Sequence, residues 1–155
     1  MQALMKEGFE ISTDKSRLDI ECIHAYLSKE SYWAKNIPLE LVQKSIEGSI
    51  CFGVYHNAAN LPACRQVGYA RMISDCASFG YLADVFIIEE YRGKGISKWL
   101  METIINYPAF QPLRRWMLAT RDAHGLYKQF GFTELDNPER IMQRVKVNPY
   151  PEDEK

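Results

Sequence analysis

Apolar and polar positions alternate from Phe9 to Thr13 and predict a first strand. Asp14 or Ser16 can cap a helix running to about Ser28, with Leu18, Ile23, Tyr26 and Leu27 on its buried stripe. Ser31 to Ile37 reads as a loop. Pro38 suits the first turn of a second helix, which uses Leu41, Val42 and Ile46 and stops near Gly48. Ile50 to Tyr55 predicts a strand and His56 to Pro62 a hairpin loop. Gln66 to Ser74 alternates as a third strand, with Val67, Tyr69, Arg71 and Ile73 on one face. Asp75 to Ser78 turns the chain into a fourth strand, Tyr81 to Ile88. That strand is apolar on both faces apart from Asp84, which places it in the centre of a sheet.

The next helix carries Ile96, Trp99, Leu100, Thr103 and Ile104 at helical spacing and ends before Pro108. Trp116 to Thr120 predicts a fifth strand. Asp122 can cap a short helix, Ala123 to Phe130, that stops at Gly131. Phe132 to Leu135 and Ile141 to Val147 read as the last two strands. The order is β-α-α-β-β-β-α-β-α-β-β, an α/β fold (α+β mixed sheet) with helices on its faces. Neither a repeat nor a linker divides it, so residues 1–147 are expected to form a single domain and 148–155 a frayed acidic tail.

Composition narrows the function classes. The 46% apolar and 25% charged fractions are those of an ordinary globular domain. A net charge of −1 with interspersed signs gives no footprint for nucleic acid. No apolar run approaches membrane-spanning length and no signal-peptide layout precedes the first strand, so the expectation is a cytoplasmic protein without a membrane partner. Cys22, Cys51, Cys64 and Cys76 form no paired motif, and none of the three histidines sits at ligand spacing from a cysteine. No metal is expected.

The chemistry concentrates in Val85 to Leu100, where a β-branched run meets a Gly-rich basic turn and then a helix. Amides at a helix N-terminus favour anions, and Arg92 and Lys94 add positive charge there. Gly93 and Gly95 let backbone approach a phosphate with no Cβ in the way. A P-loop needs four residues between its first Gly and Gly-Lys-Ser/Thr, which Gly93 to Ser97 does not provide. A dinucleotide fingerprint needs a third Gly where Lys98 stands, follows a first strand, and requires a later ribose-binding acid. Neither fits.

The spacing that does fit is Arg-x-x-Gly-x-small, here Arg92-Gly93-Lys94-Gly95-Ile96-Ser97. With it the chain resembles the GNAT superfamily of acetyl-coenzyme A-dependent N-acetyltransferases, whose pyrophosphate loop joins the fourth strand to the following helix. Leu126-Tyr127-Lys128-Gln129-Phe130-Gly131-Phe132 is similar to that family's Leu-Tyr-x-x-x-Gly-Phe segment and follows at the same order of elements. The resemblance covers roughly Phe9 to Val147. Tyr81 to Phe86, Ala119 to His124 and Tyr32-Trp33 resemble one group of small members. Ser97 replaces the usual final Gly or Ala, and Thr120 stands near a common Asn that helps position the cofactor arm.

This resemblance implies acetyl-CoA as co-substrate and direct attack by an amine in a ternary complex. It also implies splayed fourth and fifth strands, between which Phe86, Ile87 and Ile88 would pair with the pantetheine arm as if it were an added strand. The Ile87 amide would then sit near the thioester oxygen. Arg92, Gly93, Lys94, Gly95, Ile96 and Ser97 would hold the pyrophosphate. Tyr127 would protonate the leaving thiolate; its other reading is a core tyrosine. Many relatives carry a Glu on the fourth strand as base, and this strand offers only Asp84. Asp84, placed on one face with Phe86 by alternation, reads as proton acceptor, as anchor for a cationic amine, or as ion-pair partner of Arg71. His124 or water are the other candidate acceptors of the proton. Glu89 and Glu90 read as solvated or holding Arg92.

Tyr32, Trp33 and Arg71 are the expected substrate-binding residues, Tyr32 and Trp33 walling the acceptor pocket; Asp75 could reach the same place. The expected partner is a small-molecule amine. Alternatives are a non-catalytic CoA- or acyl-CoA-binding regulatory domain, and an acetyltransferase acting on a protein N-terminus or lysine. Family members often pair, which makes a homodimer a further candidate.

Overall fold

The structure, a computed structural model, describes residues 4–57 and 64–152. Most of the hairpin loop expected over His56 to Pro62, and the end of the expected tail, lie outside the described residues. Strand β1 (Leu4–Lys6), too short to show alternation, turns through Glu7 and Gly8 onto β2 (Phe9–Ser12). The one helix expected from Asp14 to Ser28 is three pieces. Asp14 accepts from the Ser16 amide and caps a 3-10 turn, Lys15–Arg17; Asp19 accepts from the Cys22 amide and caps α1 (Ile20–Ala25). Two caps in close succession restart the helix instead of extending it. A π-helical turn, Tyr26–Glu30, follows.

Helix α2 (Leu39–Glu47) starts after Pro38 and stops at Gly48. Strands β3 (Ile50–His56), β4 (Arg65–Ser74) and β5 (Phe79–Ile87) follow as a meander. Helix α3 (Ile96–Ile105) crosses over to β6 (Arg115–Met117), and α4 (His124–Lys128) succeeds it. The sheet order is β1-β2-β3-β4-β5-β6, antiparallel except for the parallel pair β5–β6 that the crossover helix requires. Leu100, Met101 and Ile104 of α3 pack on Phe52, Val54, Met72 and Leu82. Ile23, Val42 and Ile46 of α1 and α2 pack with Cys51, Tyr69 and Phe86. Two cores thus hold the sheet between helix layers.

Two irregularities break the expected alternation. Val54 faces Gly68 but Tyr55 faces Gln66, so Val67 is the extra residue and joins the core under α3 while Tyr69 joins the other. Tyr69 faces Phe86 but Arg71 faces Ala83, so β5 carries the extra residue there, and Asp84 sits at φ 55°. A bulge of this kind re-aims the side chains on either side of it. Leu82 and Phe86, four residues apart, accordingly lie in different cores, and simple alternation does not place Asp84 with Phe86.

The fifth expected strand is shorter than Trp116 to Thr120 because β6 leaves β5 after Met117. Phe132 to Leu135 and Ile141 to Val147 are not strands. Alternation marks a face to be buried, but a ladder also needs a free edge, and neither segment pairs with one. The tail is not simply frayed: Tyr150 is half-buried against the core under α1 and α2. Among the described residues no helix is long and apolar enough to cross a membrane.

Candidate active site

β5 and β6 are paired only at Phe79–Arg115, Gly80–Trp116 and Tyr81–Met117, so from Leu82 onward one edge of β5 is open. This is the expected splay; the N-terminal strand β1 makes these the fifth and sixth strands. Ile88 donates its amide to Val67 O of β4 at 2.9 Å, and its carbonyl accepts from the Tyr91 amide at 3.0 Å. Successive residues of a strand turn their amides to opposite edges. Ile87, and not Phe86 or Ile88, therefore turns its N–H to the open edge. Phe86 contributes its ring instead, stacked on Tyr26 at 3.9 Å.

At the far end of this edge β5 enters a 3-10 turn, Glu89–Tyr91, and then the Gly-rich turn. Gly93 at φ 77° and Gly95 at φ 78° are in the left-handed region, which residues with a Cβ enter at a cost. The first backbone hydrogen bond of α3 is Trp99 N–H to Gly95 O at 3.2 Å. The amides of Ile96, Ser97 and Lys98 have no intrahelical acceptor, as at any helix start. Arg92 donates from Nε to Ile87 O at 3.0 Å and from Nη2 to Tyr26 Oη at 2.7 Å. It is held there, and not by Glu89 or Glu90; Glu90 pairs with Arg65 at 3.0 Å. Lys94 lies 5.9 Å above the Tyr91 ring with its ammonium exposed. Ile96 is buried and anchors the turn to the core. Free amides, left-handed glycines and two cations fit a pyrophosphate.

At the near end a cavity of about 320 Å3 brings together Tyr32, Trp33, Arg71, Asp84, Asp122 and Tyr127. All of the expected substrate-binding and catalytic side chains therefore converge, from four separate segments. The Asp84 carboxylate is only 8% exposed and uses both oxygens: Oδ2 accepts from Arg71 Nε at 2.6 Å and Oδ1 from Trp33 Nε1 at 2.7 Å. Arg71 also donates from Nη1 to Ser49 Oγ at 3.1 Å. The ion-pair reading of Asp84 is the one the geometry realises. Tyr32 is 5.0 Å from Trp33, edge to face, and its hydroxyl accepts the Arg121 amide at 2.8 Å. The Arg121 guanidinium covers the Tyr32 ring at 4.0 Å. The tail of the π-helical segment and the loop before α4 are thereby tied across the cavity mouth.

Tyr127 is buried, 9% exposed, with its ring edge to face with Phe132 at 6.0 Å. Burial, with smaller contributions from Tyr32 and Asp122, pushes its phenol up to about 12. It therefore keeps its proton at neutral pH. Asp122, expected from the sequence to cap α4, does not do so. No side chain caps α4: its N-cap is Ala123, whose amide donates to Thr120 Oγ1 at 3.0 Å, and Asp122 lines the cavity instead without a hydrogen bond or ion pair among the described residues. A carboxylate in the loop before the Leu-Tyr segment was the available signal. Asp75 does not reach the cavity: it accepts from the Ser78 hydroxyl and from the Ser78, Ala77 and Phe79 amides in its own turn, which hold its carboxyl below the usual range. His124 is exposed at the start of α4 and lines a different cavity.

Residues 47–134 match the family model for an acetyltransferase (GNAT) domain. A Gibberella zeae protein provisionally named an acetyltransferase is 34% identical over 158 positions, covering 90% of this chain and 89% of that protein. A crystal structure from Xanthomonas campestris pv. campestris, of a GNAT-family protein with the same provisional name, superposes with a TM-score of 0.85. It is 48% identical and covers 92% of this chain and 96% of that one. Glucosamine-6-phosphate N-acetyltransferase from Arabidopsis thaliana shares the fold at 15% identity, with a TM-score of 0.61 over 91% of this chain and 99% of that one. The family model over more than half of the chain, with relatives 34% and 48% identical across most of their length, settles the family: this protein belongs to the GNAT acetyltransferases.

Proposed function

We propose that the chain moves an acetyl group from acetyl-CoA to the primary amine of a small molecule, by direct attack in a ternary complex. The observation that carries this reading is the open edge of β5, with a pyrophosphate-type turn at one end and a side-chain cavity at the other. The Ile87 amide faces the gap between them, positioned to polarise a thioester carbonyl. Arg92 braces the turn from inside through Ile87 O and Tyr26, leaving Lys94 and the α3 amides for phosphate.

In the cavity Tyr127 holds its proton on Oη and supplies it to the departing thiolate. Asp84 is paired with Arg71, and both of its oxygens already accept hydrogen bonds, from Arg71 Nε and Trp33 Nε1. Its part in this scheme is to hold Arg71 and Trp33 in place, as a positioning residue. Asp122 is the carboxylate left to bind the acceptor's ammonium or take its proton, directly or through water. Tyr32 and Trp33 give the mouth two aromatic walls, which suit a cationic or aromatic amine.

An amine panel with acetyl-CoA, read by release of free CoA, tests this. Turnover with a small amine, lost in Tyr127→Phe and changed in pH profile by Asp122→Asn, is the expected result. Tight acetyl-CoA binding with no turnover across the panel would favour a regulatory CoA-binding domain. Turnover only with peptides would favour a protein acetyltransferase.

A further inference from the structure

In an antiparallel ladder, residues that exchange hydrogen bonds turn both N–H and C=O to the partner strand, and the residues between them turn both away. Ile88 donates to Val67 O of β4. Ile87 therefore presents its carbonyl as well as its amide to the open edge of β5, which β6 leaves after the pair Tyr81–Met117. The donor that this carbonyl receives is a side chain. Arg92 Nε stands 3.0 Å from Ile87 O, where the amide of a neighbouring strand would stand. Its Nη2 reaches Tyr26 Oη at 2.7 Å, and Tyr26 stacks on Phe86, the residue before Ile87. The guanidinium thus lies alongside residues 86–87, in the lane an added strand would take.

The contacts that hold Arg92 there are of a kind that can be exchanged. Both acceptors are neutral, and Arg92 has no carboxylate partner among the described residues, so its charge stays uncompensated. The residue is exposed, and water competes for both bonds. Arg92 also stands next to Gly93, at the start of the turn whose left-handed glycines and α3 amides suit a pyrophosphate. A phosphate on that turn offers a guanidinium bidentate, charge-assisted bonds, which are stronger than bonds to a carbonyl and a phenol. One arginine thus lies within reach of two places, the lane beside Ile87 and the anion-binding turn.

Resting on the acetyl-CoA reading above, we propose that Arg92 sets the specificity for the acyl carrier: it blocks the lane beside Ile87 until a pyrophosphate on the Gly turn draws it away. The second lone pair of Ile87 O does not relieve the block, because the guanidinium itself fills the lane. A thioester whose carrier has the pantetheine arm but no phosphate must displace Arg92 and leave its charge with water alone. A carrier with a pyrophosphate replaces both lost bonds at the turn, and Ile87 O is then open to an amide N–H of the arm. The brace on Ile87 O is given up as the arm enters. The chain therefore takes acetyl-CoA and refuses acetyl-pantetheine, although both bring the same thioester to the cavity.

Calorimetry on the full-length chain with acetyl-CoA and with acetyl-pantetheine tests this. Arg92→Ala clears the lane and removes a phosphate partner. Acetyl-pantetheine should then bind ~5- to 10-fold more tightly than it does to wild type, and acetyl-CoA ~10-fold less tightly, as for hydrogen bonds to a charged group. Tyr26→Phe keeps the guanidinium and its charge but removes one of its two holds. Acetyl-pantetheine affinity should rise ~3-fold there, with acetyl-CoA affinity no lower than in wild type, a gain that loss of a merely structural brace would not give. Because Tyr26→Phe removes only a hydroxyl, the test does not depend on Arg92→Ala folding. An equal loss of both ligands in Arg92→Ala, or acetyl-pantetheine affinity that rises in neither variant, overturns the inference and leaves the acetyl-CoA reading standing. A wild-type chain that binds no acetyl-CoA overturns both.

Discussion

At one end of the open edge of β5 the site is built from backbone: left-handed glycines, the free amides of α3 and an arginine braced on Ile87 O. At the other end it is built from side chains delivered by the π-helical segment, β4, the β5 bulge and the loop before α4. In the proposed reaction the two ends work together, but they are encoded differently. A backbone cradle needs its few residues in a row, so it is local and carries a motif. A side-chain cavity needs only that distant residues arrive together, so its members are free to change with the acceptor. The cradle should therefore be fragile to single backbone changes and the cavity should lose function in graded steps.

The sharpest way to break the comparison is Gly95→Asp. It puts a Cβ at φ 78° and a carboxylate where phosphate charge must sit, and CoA affinity should fall at least ~100-fold by calorimetry. No atom lies within 4 Å of the position a Cβ would take, so the fold should survive with a modest drop in Tm. Gly95→Ala separates strain from charge and should cost ~5- to 10-fold, the equivalent of about 1 kcal/mol. Equal effects from both variants would mean that charge at this turn does not matter.

Tyr127→Phe comes next. It removes a proton donor while keeping the ring against Phe132, so kcat should drop ~100-fold with CoA affinity unchanged. The pH dependence follows from the raised phenol. The folded value of about 12 lies above the ordinary phenol value of 10.0, so folding favours the protonated form. That contribution to stability is complete below the unfolded value and fades as pH rises through the folded one. Wild-type kcat should accordingly show no alkaline loss from Tyr127 below the range 10.0 to about 12. A loss of kcat near neutrality that vanishes in Tyr127→Phe would show that the phenol is not so raised.

Asp84 and Asp122 test the cavity end. Removing one partner of a buried ion pair costs ~3–5 kcal/mol, so Asp84→Ala should lower Tm strongly through the orphaned Arg71. Asp122 is exposed and unpaired among the described residues, so Asp122→Asn should leave Tm alone and raise the KM for amine, or move the acid limb of the rate profile. A reversed pattern, with Asp84 kinetic and Asp122 silent, would return the base to β5.

The same contrast explains what was legible in the sequence. The Gly turn, Tyr127 and the β3-β4-β5 meander could be read because each rests on a contiguous pattern. The pairing of Asp84 with Trp33 depends on a bulge, and a single inserted residue is invisible to alternation. The two capping aspartates, Asp14 and Asp19, looked like one helix start because both are good N-caps. Phe132 to Leu135 and Ile141 to Val147 carry strand-like patterns but are not strands, since the partner edge is not part of the local pattern.

Trp33→Phe gives the smallest effect and the finest test. The indole is 41% exposed, so its packing contribution is limited, and what it loses is the 2.7 Å bond to Asp84 Oδ1. A hydrogen bond to a charged group contributes about 1.5–3 kcal/mol where it is shielded and less where water can replace it. The acceptor KM should rise ~3- to 10-fold, with CoA affinity and Tm near wild type. If CoA affinity fell in step with the amine, Trp33 would be supporting both ends of the edge. The cavity would then be coupled to the cradle through β5, and the separation between a backbone-built end and a side-chain-built end would have to be given up.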